Sequence, residues 1–221
     1  MTTNEYSLRD IKHARTKIAL MNAFVERLRV ARFEAISIKD VCQSAEISES
    51  TFFNYFPGKI DVITYYVNLM TIEVIWKAQQ KTPKGKLIAL INAFFDEIAD
   101  ECIRMNIKYE LISILIVQHE KQKPPAIPDI EKHLMFPDLA GIEHIDTLLI
   151  NEFFLKCVEG ALKTGELPGD IKIDDVLVSL MAIMVGTMIA VKFNDIKNIH
   201  DQYTRQLQIL WKELGVKQTK G

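Results

Sequence analysis

Apolar residues recur at intervals of three and four along most of this 221-residue chain, and this is the spacing of α-helices. No segment keeps the alternation of apolar and polar residues that marks a half-buried strand. We therefore expect an all-α protein. The pattern predicts helices over 8–29, 38–44, 49–55, 59–79, 86–104, 107–120, 146–164, 174–193 and 199–214, and a further short helix before Pro137.

Two short helices near the N-terminus have clear start and stop signals. Ser37 and Ser48 each precede a helical segment, where a serine hydroxyl can accept a hydrogen bond from a free amide of the first turn. Pro57 and Gly58 end the second segment. The turn at 45–47 joins the two helices into a helix-turn-helix, the unit that presents its second helix to the major groove of DNA.

The chain divides at the end of this unit. We expect a three-helix DNA-binding domain over 1–58 and a larger helical domain over 59–221, with a long fourth helix at 59–80 bridging the two. The net charge of the chain is −2, so it is not a generally basic nucleic-acid coat. Residues 1–60, however, carry nine Lys or Arg against seven Asp or Glu, so local placement of charge matters more than the total.

Cysteine usage and hydropathy predict a cytoplasmic protein without a membrane span. Cys42, Cys102 and Cys157 are widely spaced and odd in number, which predicts neither a disulfide framework nor a zinc site. The first ten residues are polar, unlike a secretory signal. The longest apolar run, 176–191, is shorter than the roughly 20 residues that a span needs, and a buried helix is expected there.

The sequence has no arrangement of residues typical of an enzyme. It lacks the GxSxG, Walker and GxGxxG motifs and any Ser-His-Asp order. His119, His133 and His144 have irregular spacing, so no metal site is expected. We expect a protein that is not an enzyme and needs no cofactor.

The helix-turn-helix has an apolar side and a polar side. Val41, Cys42 and Ala45, with Ile47, Phe52 and Phe56, are expected to pack against the first helix. The opposite side of the third helix then carries short polar groups that fit a major groove. These outward residues are Glu49, Ser50, Thr51, Asn54 and Tyr55.

Residues 41–62, VCQSAEISESTFFNYFPGKIDV, resemble the DNA-binding domain of TetR/AcrR-type transcriptional regulators. That family has the pattern I-A-x-x-A-G-V-S followed by x-x-T-[LFI]-Y-x-[YH]-F-x-x-K-x-x-L. The end of the match, Tyr55-Phe56-x-x-Lys59, is fairly specific. Three positions depart from the pattern: Glu46 replaces the usual Gly of the turn, Phe53 replaces the usual Tyr, and Glu49 begins the recognition helix.

The resemblance implies roles for individual residues. Residues at the start of the second helix would contact phosphate, and residues of the recognition helix would face bases. Residues at and after the end of the recognition helix would bind phosphate and fix the register on the DNA. These DNA-binding candidates are Ser37 and Lys39 for phosphate, Ser50, Thr51 and Asn54 for bases, and Tyr55 and Lys59 for the clamp, with Lys12, His13, Arg15 and Lys17 of the first helix near an adjacent groove or backbone.

The resemblance also implies a small-molecule pocket among the central helices and a homodimer formed by the last two helices. The helix at 174–193 has almost no polar face, so other helices must cover it on more than one side. The helix at 199–214 has an apolar stripe, and the two helices together would pair with the same two helices of a second subunit. Burial within one subunit and a plain helical core are the alternatives for the two features. The ligand-binding candidates are Trp76, Phe94, Met105, Tyr109, Phe153, Phe154 and Cys157.

These features predict a ligand-responsive transcriptional regulator of TetR type. The expectation is a homodimeric repressor that binds a palindromic double-stranded operator and is released by a small-molecule effector. The alternative is an all-helical ligand-binding or scaffold protein with a vestigial helix-turn-helix, and the carboxylates of Glu46 and Glu49 motivate it.

Overall fold

The structure, a computed structural model, describes residues 6–105, 125–193 and 198–216. Within these ranges the chain is helical and has no strand, so the predicted all-α class is confirmed. The helix predicted over 107–120 lies outside the described residues. The helices are α1 (Leu8–Val30), α2 (Ile38–Ser44), α3 (Glu49–Tyr55), α4 (Lys59–Lys81), α5 (Leu87–Met105), α6 (Asp129–Met135), α7 (Ile150–Lys163), α8 (Ile173–Phe193) and α9 (Ile199–Glu213).

Polar side chains cap several of the helices. The backbone N–H of Asp40 donates to Oγ of Ser37 at 3.3 Å, and that of Thr51 donates to Oγ of Ser48 at 3.2 Å. The bounds of α2 and α3 are the ones predicted from these two serines, and both predicted caps are confirmed. Ser7 and Asn198 cap α1 and α9 in the same way.

The described residues form two compact units, and α4 contributes to both. The first unit comprises 6–73 and 125–147, and the second comprises the remainder. The first unit is therefore larger than the expected 1–58 domain, because it takes in the start of α4 and the α6 segment. Sequence reasoning placed that segment in the C-terminal domain, since no local signal shows which helix α6 packs on.

The core of the first unit is built as the apolar pattern predicts. Phe24 and Leu28 of α1 are buried, as are Val41 of α2, Phe52 of α3 and Phe56. α6 then packs on the N-terminal half of α1. The cluster there consists of Ile11, Ala14 and Ile130, with Tyr6 and Leu134 beside it.

The second unit has α5, α7, α8 and α9 packed on one another. The hydroxyl of Tyr203 on α9 is buried and donates to the carbonyl oxygen of Met184 on α8 at 2.9 Å. The indole N–H of Trp211 donates to Oδ1 of Asn92 on α5 at 2.8 Å. These bonds satisfy polar groups that would otherwise be costly to bury, and they hold α9 against its neighbours.

Candidate nucleic-acid interface

The turn of the helix-turn-helix contains a left-handed residue that is not glycine. Glu46 has φ of 57°, in the region that glycine adopts without strain. Its N–H donates to the carbonyl of Gln43, and the N–H of Ile47 donates to that of Cys42 at 2.9 Å. The sequence predicted that a Glu here could alter the turn. The structure instead keeps the left-handed geometry and accepts strain of about 1–2 kcal/mol.

The solvent-exposed face of α3 carries both polar side chains and an aromatic ring. Glu49, Ser50, Phe53 and Asn54 are exposed, whereas Thr51 is half-buried. The Ser48 hydroxyl is within hydrogen-bond distance of the Ser50 hydroxyl, at 2.9 Å, and of the Thr51 hydroxyl, at 2.8 Å. The predicted base-facing residues thus share one surface, and two of them are held by the cap of their own helix.

α2 is anchored to α1 by an arginine. Nη2 of Arg27 donates to the carbonyl of Asp40 at 2.8 Å and to Oγ of Ser44 at 2.6 Å. Ser37 is half-buried and occupied as the cap of α2, whereas Lys39 is exposed. Of the two α2 candidates, Lys39 therefore has the freer approach to a phosphate.

Lys59 is engaged within the first unit. Its Nζ donates to the carbonyl oxygens of Phe33 at 3.0 Å, Glu34 at 3.1 Å and Ile36 at 3.1 Å. An ammonium group has three donors, and these bonds use all of them. In the structure its side chain closes the turn between α1 and α2, and the role of Lys59 as a phosphate clamp stays a prediction.

Tyr55 lies against the exposed N-terminal part of α1. The rings of Tyr55 and His13 are 4.5 Å apart between centroids and tilted by 44°. An open groove of about 480 Å³ runs beside them, with cationic side chains on its wall. Its lining residues are Leu8, Arg9, Lys12, His13, Thr16 and Tyr55. Sequence reasoning named Lys12 and His13 here but missed Arg9, although its position one turn before them on the same helix was a usable signal.

Lys17, the fourth candidate on α1, turns away from this groove. Its Nζ lies 2.9 Å from Oε2 and 3.2 Å from Oε1 of Glu131 on α6. It also lies 4.1 Å from the centroid of the Tyr65 ring, at cation–π distance. Burial, and then the charge of Glu131, raises the pKa of the Tyr65 phenol. Lys17 thus forms an ion pair within the first unit, and its contact with DNA stays a prediction.

The second unit brings three of the seven ligand-binding candidates together in a packed aromatic cluster. Phe94 stacks on Phe153 with centroids 4.7 Å apart, and lies 5.4 Å from Phe154 in an edge contact. All three rings are buried, as is Cys157, whose pKa burial raises to about 12. Trp76 is half-buried. Tyr109 and the Met105 side chain lie outside the described residues. No group of His, Cys, Asp or Glu that could hold a metal occurs within the described part of the chain.

α8 carries a second exposed surface, and it is apolar. Val178 is 68% exposed and Phe193 is 77% exposed, and Ala182 and Gly186 lie between them at helical spacing. Residues 173–191 are long and apolar enough to cross a membrane by length and composition, although such a helix alone is weak evidence for a span; 17% of that stretch is buried. The sequence predicted burial for this helix. Its outer side is uncovered in the isolated chain.

No protein-family model matches the sequence, and no curated protein matches it. Solved structures do match in fold. Thermus thermophilus FadR, a TetR-family transcriptional repressor in complex with lauroyl-CoA, has a TM-score of 0.58 at 14% identity, over 93% of this chain and 98% of that one. A regulatory protein of the tetR family from Rhodococcus RHA1 has a TM-score of 0.54 at 10% identity, over 91% and 98%. The TetR-family regulator PfmR, also from Thermus thermophilus, has a TM-score of 0.52 at 10% identity, over 87% and 97%.

These likenesses establish the fold. The chain has the architecture of TetR-family transcription regulators, with an N-terminal helix-turn-helix and a helical C-terminal part. The resemblance carried by residues 41–62 is thus confirmed as a likeness of fold.

Proposed function

We propose that this protein is a cytoplasmic transcriptional repressor that binds a palindromic operator as a homodimer and is released by a small-molecule effector. The observation that carries the proposal is the surface of α3. Its exposed residues Ser50 and Asn54 stand on a capped helix-turn-helix, and the cationic groove of α1 lies beside them. Exposed polar groups for bases, flanked by cations for phosphates, are what DNA recognition requires.

Base contacts and phosphate contacts come from different residues in this proposal. Asn54 binds an adenine through two hydrogen bonds of its side-chain amide, and Ser50 and Thr51 lie beside it on α3. Phosphates contact Lys39 and Tyr55, with the cations of the α1 groove extending the footprint. Ser37 contacts phosphate by donating its hydroxyl hydrogen, which stays available while its oxygen accepts the capping bond of α2. Lys59 is left out of the proposed contacts, because its ammonium is bonded to backbone carbonyls between α1 and α2.

The dimer is proposed to form through α8 and α9. Val178, Ala182 and Gly186 of α8 face solvent, and Ile209 of α9 is 64% exposed. An apolar helix with so little burial is unfavourable in water unless a second surface covers it. A second copy of the chain would supply that cover and place two recognition helices on one operator.

The effector is proposed to be an apolar or acyl-bearing small molecule that binds the second unit. The FadR structure of similar fold holds lauroyl-CoA, and the candidates here have the apolar character such a ligand needs. Because Phe94, Phe153 and Phe154 pack against one another, we place the ligand beside this cluster rather than within it. Trp76 and Cys157 stay candidates for its lining. Since α4 contributes to both units, it is the element through which effector and DNA affinities are coupled.

In vitro selection from a random double-stranded DNA library with the full-length chain tests the proposal. We expect an inverted repeat to be enriched and its affinity to fall with salt, with a logarithmic slope of about −5 for three phosphate contacts per subunit. Asn54→Ala should then lose roughly 1–3 kcal/mol at one base pair per half-site. No enrichment, or binding that ignores salt, would favour instead a helical ligand-binding or scaffold protein with a vestigial helix-turn-helix.

A further inference from the structure

Phe53 is an apolar ring on the otherwise polar outer face of α3. It is 51% exposed, whereas Phe52 and Phe56 of the same segment are buried. Glu49 precedes it by one helical turn, and Asn54 follows it; both are exposed. Covering an exposed apolar ring removes apolar surface from water and is favourable, so this ring is available for an apolar contact with a partner.

The ring is held in place before any partner arrives. Phe53 meets Phe52 edge-on, with centroids 5.4 Å apart and planes at 84°. Phe52 in turn packs against Phe56 at 5.9 Å in the core. One side of the Phe53 ring is thus supported by a fixed neighbour and the other side is free. A supported aromatic ring loses little conformational freedom when it is covered, which favours a specific contact.

The chemistry of the major groove determines what this ring can recognise. A phenyl ring has no hydrogen-bond donor or acceptor, so it cannot bind a phosphate or the polar edge of a base. The apolar feature in the base pattern of the groove is the C5-methyl group of thymine, with which a phenylalanine ring makes an apolar contact. The hydroxyls of Ser50 and Thr51 lie within hydrogen-bond distance of the Ser48 hydroxyl. Of the exposed α3 residues Glu49, Ser50, Phe53 and Asn54, Phe53 is the apolar one.

We propose that Phe53 reads the C5-methyl group of one thymine in each operator half-site and so specifies a T·A pair at that position. This assignment rests on the proposed function, because it requires that α3 enters the major groove. It goes beyond the proposed function because it names the base and the chemical group that Phe53 contacts. Covering one methyl group is worth about 0.8 kcal/mol, which converts to about a fourfold gain in affinity per half-site.

The test uses the full-length protein and the DNA sequence obtained by in vitro selection. Each thymine of the site is replaced in turn, symmetrically in both half-sites, by deoxyuridine, which keeps every hydrogen-bonding group and removes only the methyl. We expect one thymine position at which the wild-type protein loses about 15-fold in affinity, the product of two fourfold losses. Phe53→Ala should bind the thymine and uracil sites equally at that position.

Two controls separate this role from general damage. Val30→Ala removes apolar atoms from another exposed residue of the first unit and should keep the full thymine preference. Phe53→Leu should keep part of it, and both Phe53 variants should keep the wild-type melting temperature, because the ring is half exposed. The inference is overturned if wild type binds every uracil-substituted site normally, or if Phe53→Ala retains the uracil penalty. A selection that enriches no DNA overturns the proposed function itself, which is a different result.

Discussion

The ammonium of Lys17 on α1 lies 2.9 Å from Oε2 of Glu131 on α6, 114 positions away in the sequence. Glu131 is 3% exposed and Lys17 is 19% exposed at the side chain. A buried carboxylate is tolerated only when it is paired, and the Lys17 ammonium that pairs with it lies over the ring of Tyr65. The contact therefore joins the α6 segment to α1.

Removing one member of this pair should destabilise the protein more than removing both. Glu131→Leu and Lys17→Met each leave a charge without its partner, and we expect each to cost about 2–4 kcal/mol in the free energy of unfolding. The double variant should recover most of this loss, because two apolar side chains pack without a charge to solvate. Urea denaturation of the four proteins measures the coupling. Additive losses would contradict the buried pair.

Substitution of Lys59 should lower stability, whereas substitution of Lys39 should lower the salt dependence of DNA binding. Lys59→Met leaves the carbonyls of Phe33, Glu34 and Ile36 without their donor, which we expect to cost about 1–3 kcal/mol in stability. The salt slope of DNA binding should stay unchanged. Lys39→Met is the matched control: its melting temperature should not move, while the slope falls by about 1 per subunit. A reduced slope for Lys59→Met would restore it to the phosphate contacts.

Glu46→Gly should stabilise the protein. Glycine adopts the φ of 57° found at this position without the steric cost that a side chain incurs. We expect a gain of about 1 kcal/mol in the free energy of unfolding, seen as a higher urea midpoint. Glu46→Ala removes the carboxylate but keeps the Cβ, so it separates charge from backbone strain. Equal gains in both variants would show that charge repulsion, and not the left-handed backbone, was relieved.

Stability should fall in alkaline solution because of the buried thiols and phenols. Burial raises the pKa of Cys157 from 9.0 to about 12 and raises that of Tyr203. The unfolded chain therefore releases protons at lower pH than the folded chain. The stabilising effect is complete below about pH 9 and is lost as pH rises from 9 toward 12. Unfolding free energies at pH 7, 9 and 10 measure it, and Cys157→Ala should decline less steeply over that range than wild type.

A charge on the outer face of α8 should dissociate the proposed dimer. Val178→Glu places a carboxylate where the apolar surface would be covered, and burying an unpaired charge is prohibitive. Sedimentation should then report a monomer, and operator affinity should fall. Ile103→Glu is the control, since Ile103 of α5 is similarly exposed but lies outside α8 and α9. A wild-type chain that sediments as a monomer, or that requires detergent to stay in solution, would contradict a dimer through this face.

The local sequence determined the part of the fold that depends on close neighbours in the chain. The bounds of α2 and α3 follow from Ser37 and Ser48, because a cap bonds an amide only three residues away. The burial of Val41, Phe52 and Phe56 follows from helical spacing. The apolar character of α8 is likewise a property of its composition. Which side of α8 is exposed depends on the tertiary structure, because α7 and α9 pack against the opposite side.

The tertiary structure decided which polar residues are free to bind. Lys17, Lys39 and Lys59 look alike in the sequence, yet only Lys39 is exposed, because the partners of the others are a carboxylate on α6 and carbonyls more than twenty positions away. The same holds for the α1 groove, where Arg9 and His13 of α1 meet Tyr55 of α3, and for Phe53, whose exposure depends on Phe52 filling the core. Contacts between distant segments have no local signature, so the sequence alone could predict the helix-turn-helix but not which of its side chains are exposed.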